Sequence, residues 1–287
     1  MLNRINSVTL TLALISICAL SNSTRAQSLT STPCDKFDVM TRNMYVGTDF
    51  SEIFAAPDTS TLLAEVAEAF GDVQASNVKA RIAAMAHEIK TTKPDLISLQ
   101  EVALWQTGPF DPTSPSANTV AFGYLQLLLD ELNKNESLRY EAVAVLTNLV
   151  AEAPAIGPTG LFDVRFTDRV VLLARTDLHK KDFDVENVVA AHFSTILSVP
   201  TATLGQVTIP RGYISADIER CGHTFRVITA HLESFEEQLG LPFPFFRFAQ
   251  ALELLQEPAN TSLPIVLAGD LNANAEDPSD PTYQLLL

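Results

Sequence analysis

Short apolar runs, each about the length of one strand and each stopped by a polar residue or a turn, recur along this chain with helical segments between some and tight turns between others. A strand that returns through a turn pairs antiparallel, whereas parallel pairing needs a long crossover, usually helical. Both kinds of connection are present. Residues 36–43 (KFDVMTRN) form a strand ending at Asn43, and DLISLQEV, RYEAVAVLT and IVLA (95–102, 139–147, 265–268) form others. Between residues 165 and 213, β-branched runs such as DRVVLLAR and VTIPRGYISADIE alternate with turns and read as hairpins, and TFRVITAHLES (224–234) follows the turn at Gly222. Helical spacing appears over 62–70, over 76–90 as Val78, Ile82, Met85, Ala86 and Ile89, over 119–132, and over 246–256 before Pro258. This mixture predicts a layered α/β (α+β) fold rich in antiparallel sheet, and not a regular doubly wound one. No internal repeat, low-complexity linker or coiled coil divides the chain, so residues 37–287 are expected to form one domain.

The segments before that domain read differently. Arg4 is followed by a charge-free stretch, residues 8–20, and then by Thr24, Arg25 and Ala26, which approximate a small-residue cleavage site. Thirteen residues interrupted by Thr9, Thr11 and Ser16 are too few for a membrane span, which takes about 20. Residues 1–26 are therefore expected to be a signal peptide, 27–36 a polar spacer, and the mature protein secreted or periplasmic, with no integral span. Loss of Arg4 and Arg25 takes the net charge from −15 to −17. Such a chain repels polyanions, and no Lys/Arg cluster offsets that, which argues against a nuclease that grips duplexes by charge. Cys18 leaves with the signal, so an exported protein keeps two cysteines, Cys34 and Cys221, and a Cys34–Cys221 disulfide is expected, with two unpaired buried thiols as the alternative.

Four strand ends carry polar residues that an apolar core does not need: Asn43, Glu101, His231, and Asp270 with Asn272. Singly, each has an ordinary explanation. A strand-terminal Asn or Asp forms turns, a lone His hydrogen-bonds, and an edge Glu is solvated. Together they make a chemical set. A carboxylate and an amide suit a hard divalent cation with oxygen ligands. A second carboxylate can orient water, and an imidazole can stabilise charge on a phosphoryl oxygen.

The ordered motifs VMTRNMYVG, KPDLISLQEV, VITAHLE and LAGDLNA resemble those of the endonuclease/exonuclease/phosphatase superfamily, over about residues 37–274. The resemblance implies a four-layered α/β/β/α sandwich with its site at one edge of two packed sheets. It implies Glu101 as the main metal-ligating residue, with Asn43 helping to place metal and phosphate. By the same resemblance, His231 stabilises the transition state, Asp270 orients the attacking water, and Asn272 holds a phosphate oxygen. Arg211 stands where many members carry an Arg before a strand, which leaves a phosphate contact and a surface charge both open. The implied activity is metal-dependent phosphoester hydrolysis with Mg²⁺, or Mn²⁺ or Ca²⁺, on nucleic acid, phospholipid or a small phosphate ester, by a monomer.

One departure stands out. The superfamily continues past its Asp-x-Asn motif to another aspartate and a final Asp-His pair. The tail NAEDPSDPTYQLLL holds no histidine. The set is incomplete, and the expectation is a sequence interrupted before its last strands. The rival expectation is a catalytically dead secreted scaffold that binds phosphorylated ligands or a partner. A further expectation concerns the LGLPFPFF loop (239–246), whose phenylalanines Phe243, Phe245 and Phe246 are read as packing under the following helix, with an apolar lip touching lipid as the alternative.

Overall fold

The computed structural model describes residues 36–134, 138–241 and 243–287. Two sheets pack face to face, with helices on both outer faces. The first sheet contains β1 (Val39–Asn43), β2 (Leu96–Gln100), β3 (Leu104–Pro109), β4 (Thr119–Gly123), β5 (Tyr140–Gly157) and β6 (Gly160–Arg175). The second runs in the order β12-β11-β10-β7, from β12 (Ile265–Asp270) through β11 (His223–His231) and β10 (Gly212–Arg220) to β7 (Phe183–His192). β8 (Leu197–Thr201) and β9 (Gly205–Ile209) form a separate hairpin.

Pairing follows the connections. β1 and β2 are parallel because α1 (Ser51–Ala55), α2 (Thr59–Ala75) and α3 (Val78–Thr92) intervene, and β11 and β12 are parallel across α5 (Phe235–Gln238) and α6 (Phe245–Gln256). β10 and β11 are joined by a tight turn and pair antiparallel. The long β6 is the backbone of the first sheet: residues 171–174 pair with β2 and residues 162–167 with β3, while its other edge pairs with β5.

The layers have distinct cores. Leu96, Val170, Leu172, Ile214, Ala216 and Val227 fill the space between the sheets. The buried stripes of α2, α3 and α4 (Tyr124–Leu132), including Val73, Ile82, Ile89 and Leu128, cover the first sheet. Ala251 and Leu254 of α6 cover the second with Leu285 and Leu286 of α7 (Pro281–Leu286), a helix that Asp280 caps by accepting from the Tyr283 amide. The α/β/β/α sandwich is therefore present. Among the described residues, no helix is long and apolar enough to cross a membrane.

Two local expectations are corrected. Residues 119–123 are a strand and not the start of a helix, because the β-branched Thr119 and Val120 pair with β3 before α4 begins. The run 207–219 falls, as read, into hairpins: β9 pairs with β8 and β10 with β11, and Pro210 and Arg211 separate them into different sheets. Phe243 and Phe245 are not buried under α6: they are 45% and 58% exposed, Phe243 meeting Phe248 of α6 edge-on at 5.8 Å, and only Phe246 is half-buried, against the small cluster with Phe54 and Phe235.

Candidate active site

The parallel pairs β1–β2 and β11–β12 end at the same edge of the sandwich, so rigid strand ends deliver the polar residues read from the sequence. Asn43 ends β1, Glu101 follows β2, and His231 and Asp270 end paired strands, opposite each other in register. Arg211 immediately precedes β10, whose Gly212 is paired with His231. The structure brings all of them to one edge.

Their contacts link the two sheets. Asn43 Nδ2 donates to Glu101 Oε1 at 2.7 Å and to Asp270 Oδ2 at 2.9 Å, so one amide ties a carboxylate of each sheet. Its Oδ1 accepts from the Tyr45 amide at 2.8 Å, and Glu101 Oε2 accepts from the Val46 amide at 2.7 Å. Asp270 Oδ1 accepts from the Asn272 amide at 3.1 Å, while Asn272 Nδ2 donates to the Leu232 carbonyl at 2.8 Å. That last bond turns the Asn272 amide group toward the loop after His231, where it fixes the backbone.

The local backbone is unusual here. Tyr45, Glu101 and Asn272 all have left-handed conformations, with φ of 60°, 54° and 48°. Such residues cost about 1–3 kcal/mol each and persist only where surrounding contacts hold them. At Glu101 the holding contacts are visible. β2 and β3 lie end to end along β6, and in the break between them the Val102 amide donates to the Arg169 carbonyl while Arg169 Nε donates to the Val102 carbonyl. The break swings Glu101 out of the sheet and into the site. On the opposite edge of β6 the pairing with β5 shifts between Thr147 and Val150, and the bulged Asn148 donates to Asp168 Oδ2 at 3.0 Å.

Arg211 is neither a surface charge nor isolated. It is buried, with Nη1 donating to His231 Nδ1 at 3.2 Å and lying 3.6 Å from Asp168 Oδ2, and with Nε 3.5 Å from Glu233 Oε2. A guanidinium has only donors, so His231 Nδ1 accepts and its proton sits on Nε2. Burial first, and the Arg211 charge second, hold the His231 pKa well below 6.5, which keeps the ring neutral at pH 7. Glu101 moves the other way: burial, reinforced by Asp168, raises its pKa despite the bonds from Asn43 and Val46.

Sequence reasoning missed three members of this group: Asp168, Glu233 and Asn148. The signal for Asp168 is an acid interrupting the apolar strand FTDRVVLLAR, and Glu233, fully buried, lies two residues beyond His231. Tyr45, 52% exposed, lines the same pocket as Glu101, Asp168, Arg211 and His231. Among the described residues, no group of three or more His, Cys, Asp or Glu side chains could hold a metal ion. The expected Cys34–Cys221 disulfide rests on Cys34, which lies outside the described residues, as do residues 1–26.

Solved structures with a similar course of chain include D. rerio TDP2 humanized by 14 mutations, 15% identical, with a TM-score of 0.44 over 87% of this chain and 66% of that one. The human Nocturnin catalytic domain with bound sulfate is 18% identical, with a TM-score of 0.43 over 86% and 67%. The Bacteroides thetaiotaomicron mannosyl-6-phosphatase is 13% identical, with a TM-score of 0.41 over 88% and 70%. The chain thus spans about two thirds of the length of these proteins. No curated protein matches. Residues 69–283, a span that takes in Glu101, Arg211, His231, Asp270 and Asn272, match the Endonuclease/Exonuclease/phosphatase family, to which this chain belongs.

Proposed function

We propose that the protein is a divalent-metal-dependent phosphoester hydrolase. The observation that carries this reading is the Asn43 amide, which holds Glu101 and Asp270 at one point, while the neutral, Nε2-protonated His231 lines the same pocket as Glu101 and ends the strand paired with that of Asp270. Its donors fit a hard cation. Glu101 is a buried carboxylate with a raised pKa, so a neighbouring positive ion would restore its ionised form, and Asp270 offers further oxygen. Mg²⁺ is the favoured ion, with Mn²⁺ or Ca²⁺ as substitutes; bound, it would polarise the phosphoryl oxygen and lower the pKa of coordinated water.

The chain's own residues supply the rest. Asp270, its carboxylate oriented by Asn43 and the Asn272 amide, holds the attacking water by accepting its proton in a hydrogen bond. His231 Nε2–H donates to a phosphoryl oxygen as charge builds there, and a neutral donor does so without changing protonation state. Arg211 fixes the ring's tautomer and adds positive potential, moderated by Asp168 and Glu233. The assay is hydrolysis of bis-p-nitrophenyl phosphate with Mg²⁺. Activity should vanish with chelator and in Glu101→Ala, and His231→Ala should lose about 10²–10³-fold, the cost of removing one transition-state donor. Failure of the full-length protein to hydrolyse DNA, sphingomyelin, inositol phosphates and this diester alike, with any of the three metals, would sink the hydrolase reading and leave the binding scaffold.

The leader and the disulfide belong to the same reading. Export should yield protein from the medium or periplasm that begins at Gln27, and a non-reducing peptide digest should contain Cys34 joined to Cys221. Retention of residues 1–26, or alkylation of both thiols without reductant, would refute these two points.

A further inference from the structure

Beside the site pocket runs an apolar cleft of about 300 Å³, walled by Phe50, Phe54, Trp105, Leu149, Phe166 and Val207 among others. Phe50, Phe54, Leu149 and Phe166 also line the pocket that holds Glu101, Arg211 and His231, so the two spaces share a wall of rings. That wall is firmly built. Phe50 packs on Phe166 with centroids 4.8 Å apart, Trp105 on Phe166 at 4.7 Å, and Phe54 edge-on to Phe235 at 4.9 Å. The charged residue in the lining, Glu152, is already committed: it accepts from Arg165 Nε at 2.6 Å and from the Ser116 amide at 2.7 Å.

Resting on the phosphoester reading above, we infer that this cleft receives the apolar alcohol group of the substrate, an alkyl or aryl group esterified to the phosphate. The volume lies at the lower end of the roughly 300–1,000 Å³ typical of ligand pockets. Gln206 and Thr208 are the other polar side chains of the lining, both on the exposed β9; a sugar or inositol ring placed against the wall of rings opposite would leave its hydroxyls there without partners, which is costly, whereas an alkyl or aryl group gains by leaving water. The net charge of −15 points the same way, away from polyanionic substrates. The exposed side chains of Leu239, Leu241, Phe243 and Phe245, next in sequence to the pocket-lining Phe235 and Gln238, would extend an apolar approach outside the site.

The protein contains one tryptophan, Trp105, and it lines the cleft, so occupancy can be read without turnover. The experiment titrates the protein with methyl, butyl, octyl and phenyl phosphate and follows Trp105 fluorescence. Affinity should rise along the alkyl series by up to about fourfold per methylene, the equivalent of about 0.8 kcal/mol for each CH₂ removed from water. Octyl against phenyl phosphate separates an aliphatic from an aromatic source of the group. Val150→Glu and Val207→Glu put a charge into the lining from strand positions; Val150 is 57% exposed, so its backbone is not at risk. Both should flatten the series. The inference is overturned if octyl and phenyl phosphate bind no tighter than methyl phosphate, or if the series is as steep in both variants. A steep series in protein that hydrolyses no phosphoester keeps the cleft and removes the reaction, whereas hydrolysis with a flat series does the reverse.

Discussion

Replacing Arg211 with Met tests the centre of the site directly, because among the described residues the guanidinium is the one charged partner of Glu233 Oε2. Methionine keeps much of the volume and removes the charge. Truncating one partner of a buried ion pair costs about 3–5 kcal/mol, since the other charge is left behind. Here the lower end applies. Glu233 Oε1 keeps its bonds from the Ser234 and Phe235 amides, and Asp168 Oδ2 keeps the one from Asn148. The expected loss is therefore about 3 kcal/mol, read by urea unfolding at pH 7.5, with a fall in Tm of about 6–12 °C for a domain of this size. A second substitution, Glu233→Gln, made on that background should return about 1 kcal/mol or more, because it removes an uncompensated charge. The reasoning fails if Arg211→Met costs under about 1 kcal/mol, or if Glu233→Gln makes the variant less stable still.

Other expectations follow from the same geometry. His231 has a folded pKa below its unfolded one, so the unfolded chain binds the extra proton: stability should fall as pH drops below about 6.5, and His231→Gln should remove that part of the slope in a pH series of melting temperatures. Divalent cation at about 100 times its dissociation constant should add about 2.7 kcal/mol to unfolding at pH 7.5. That gain should be absent in Glu101→Ala and should shrink on acidification at a higher pH than for an ordinary glutamate, because burial raises the Glu101 pKa; an unchanged increment in Glu101→Ala would exclude it as a ligand. Gly269→Ala should cost about 2–4 kcal/mol and most of the activity. A Cβ there would stand 2.3 Å from the Ala230 carbonyl oxygen, between β12 and β11, and would push Asp270 out of register with His231. Near-normal activity in that variant would show that the placement of Asp270 is not critical.

The sequence was most legible where one residue both ends a strand and carries chemistry. Asn43, Glu101, His231 and Asp270 could be picked out because each follows an apolar run whose direction is set by its neighbours, and the strands then place them together. Arg211 could be located but not interpreted, since its burial depends on Asp168 and Glu233, which come from β6 and from the loop after β11. Asp168 itself was hidden by its setting. An acid inside a β-branched run reads as the solvent face of a hairpin, and only the bulge at Asn148 on the neighbouring strand turns it into a buried partner. The strand at 119–123 was lost for a simpler reason. Five residues with helical and strand potential are decided by whether an edge is free to receive them, and β3 offers one. The exposure of Phe243 and Phe245 was likewise beyond reach, because it depends on where α6 sits and not on local composition.

The middle of the space between the sheets is apolar, and among the polar links that cross it one pin lies directly behind the site. Ser98 of β2 is hydrogen-bonded to Thr229 of β11 and donates to the Ala268 carbonyl of β12 at 2.9 Å, and Gln100 donates to Ser98 at 2.6 Å. Greasy surfaces alone tolerate shear: two sheets can slide by one residue, about 3.3 Å, and still bury the same area. A slip of that size exceeds the 2.9 Å reach of Asn43 to Asp270 and would pull the two halves of the site apart. The pin makes such a slip expensive, since it would strand several buried polar groups at once. Alignment of one sheet on the other is thus set by a few hydroxyls and an amide, and a change as small as Ser98→Ala could detune the site from inside the core without touching any residue that meets the substrate.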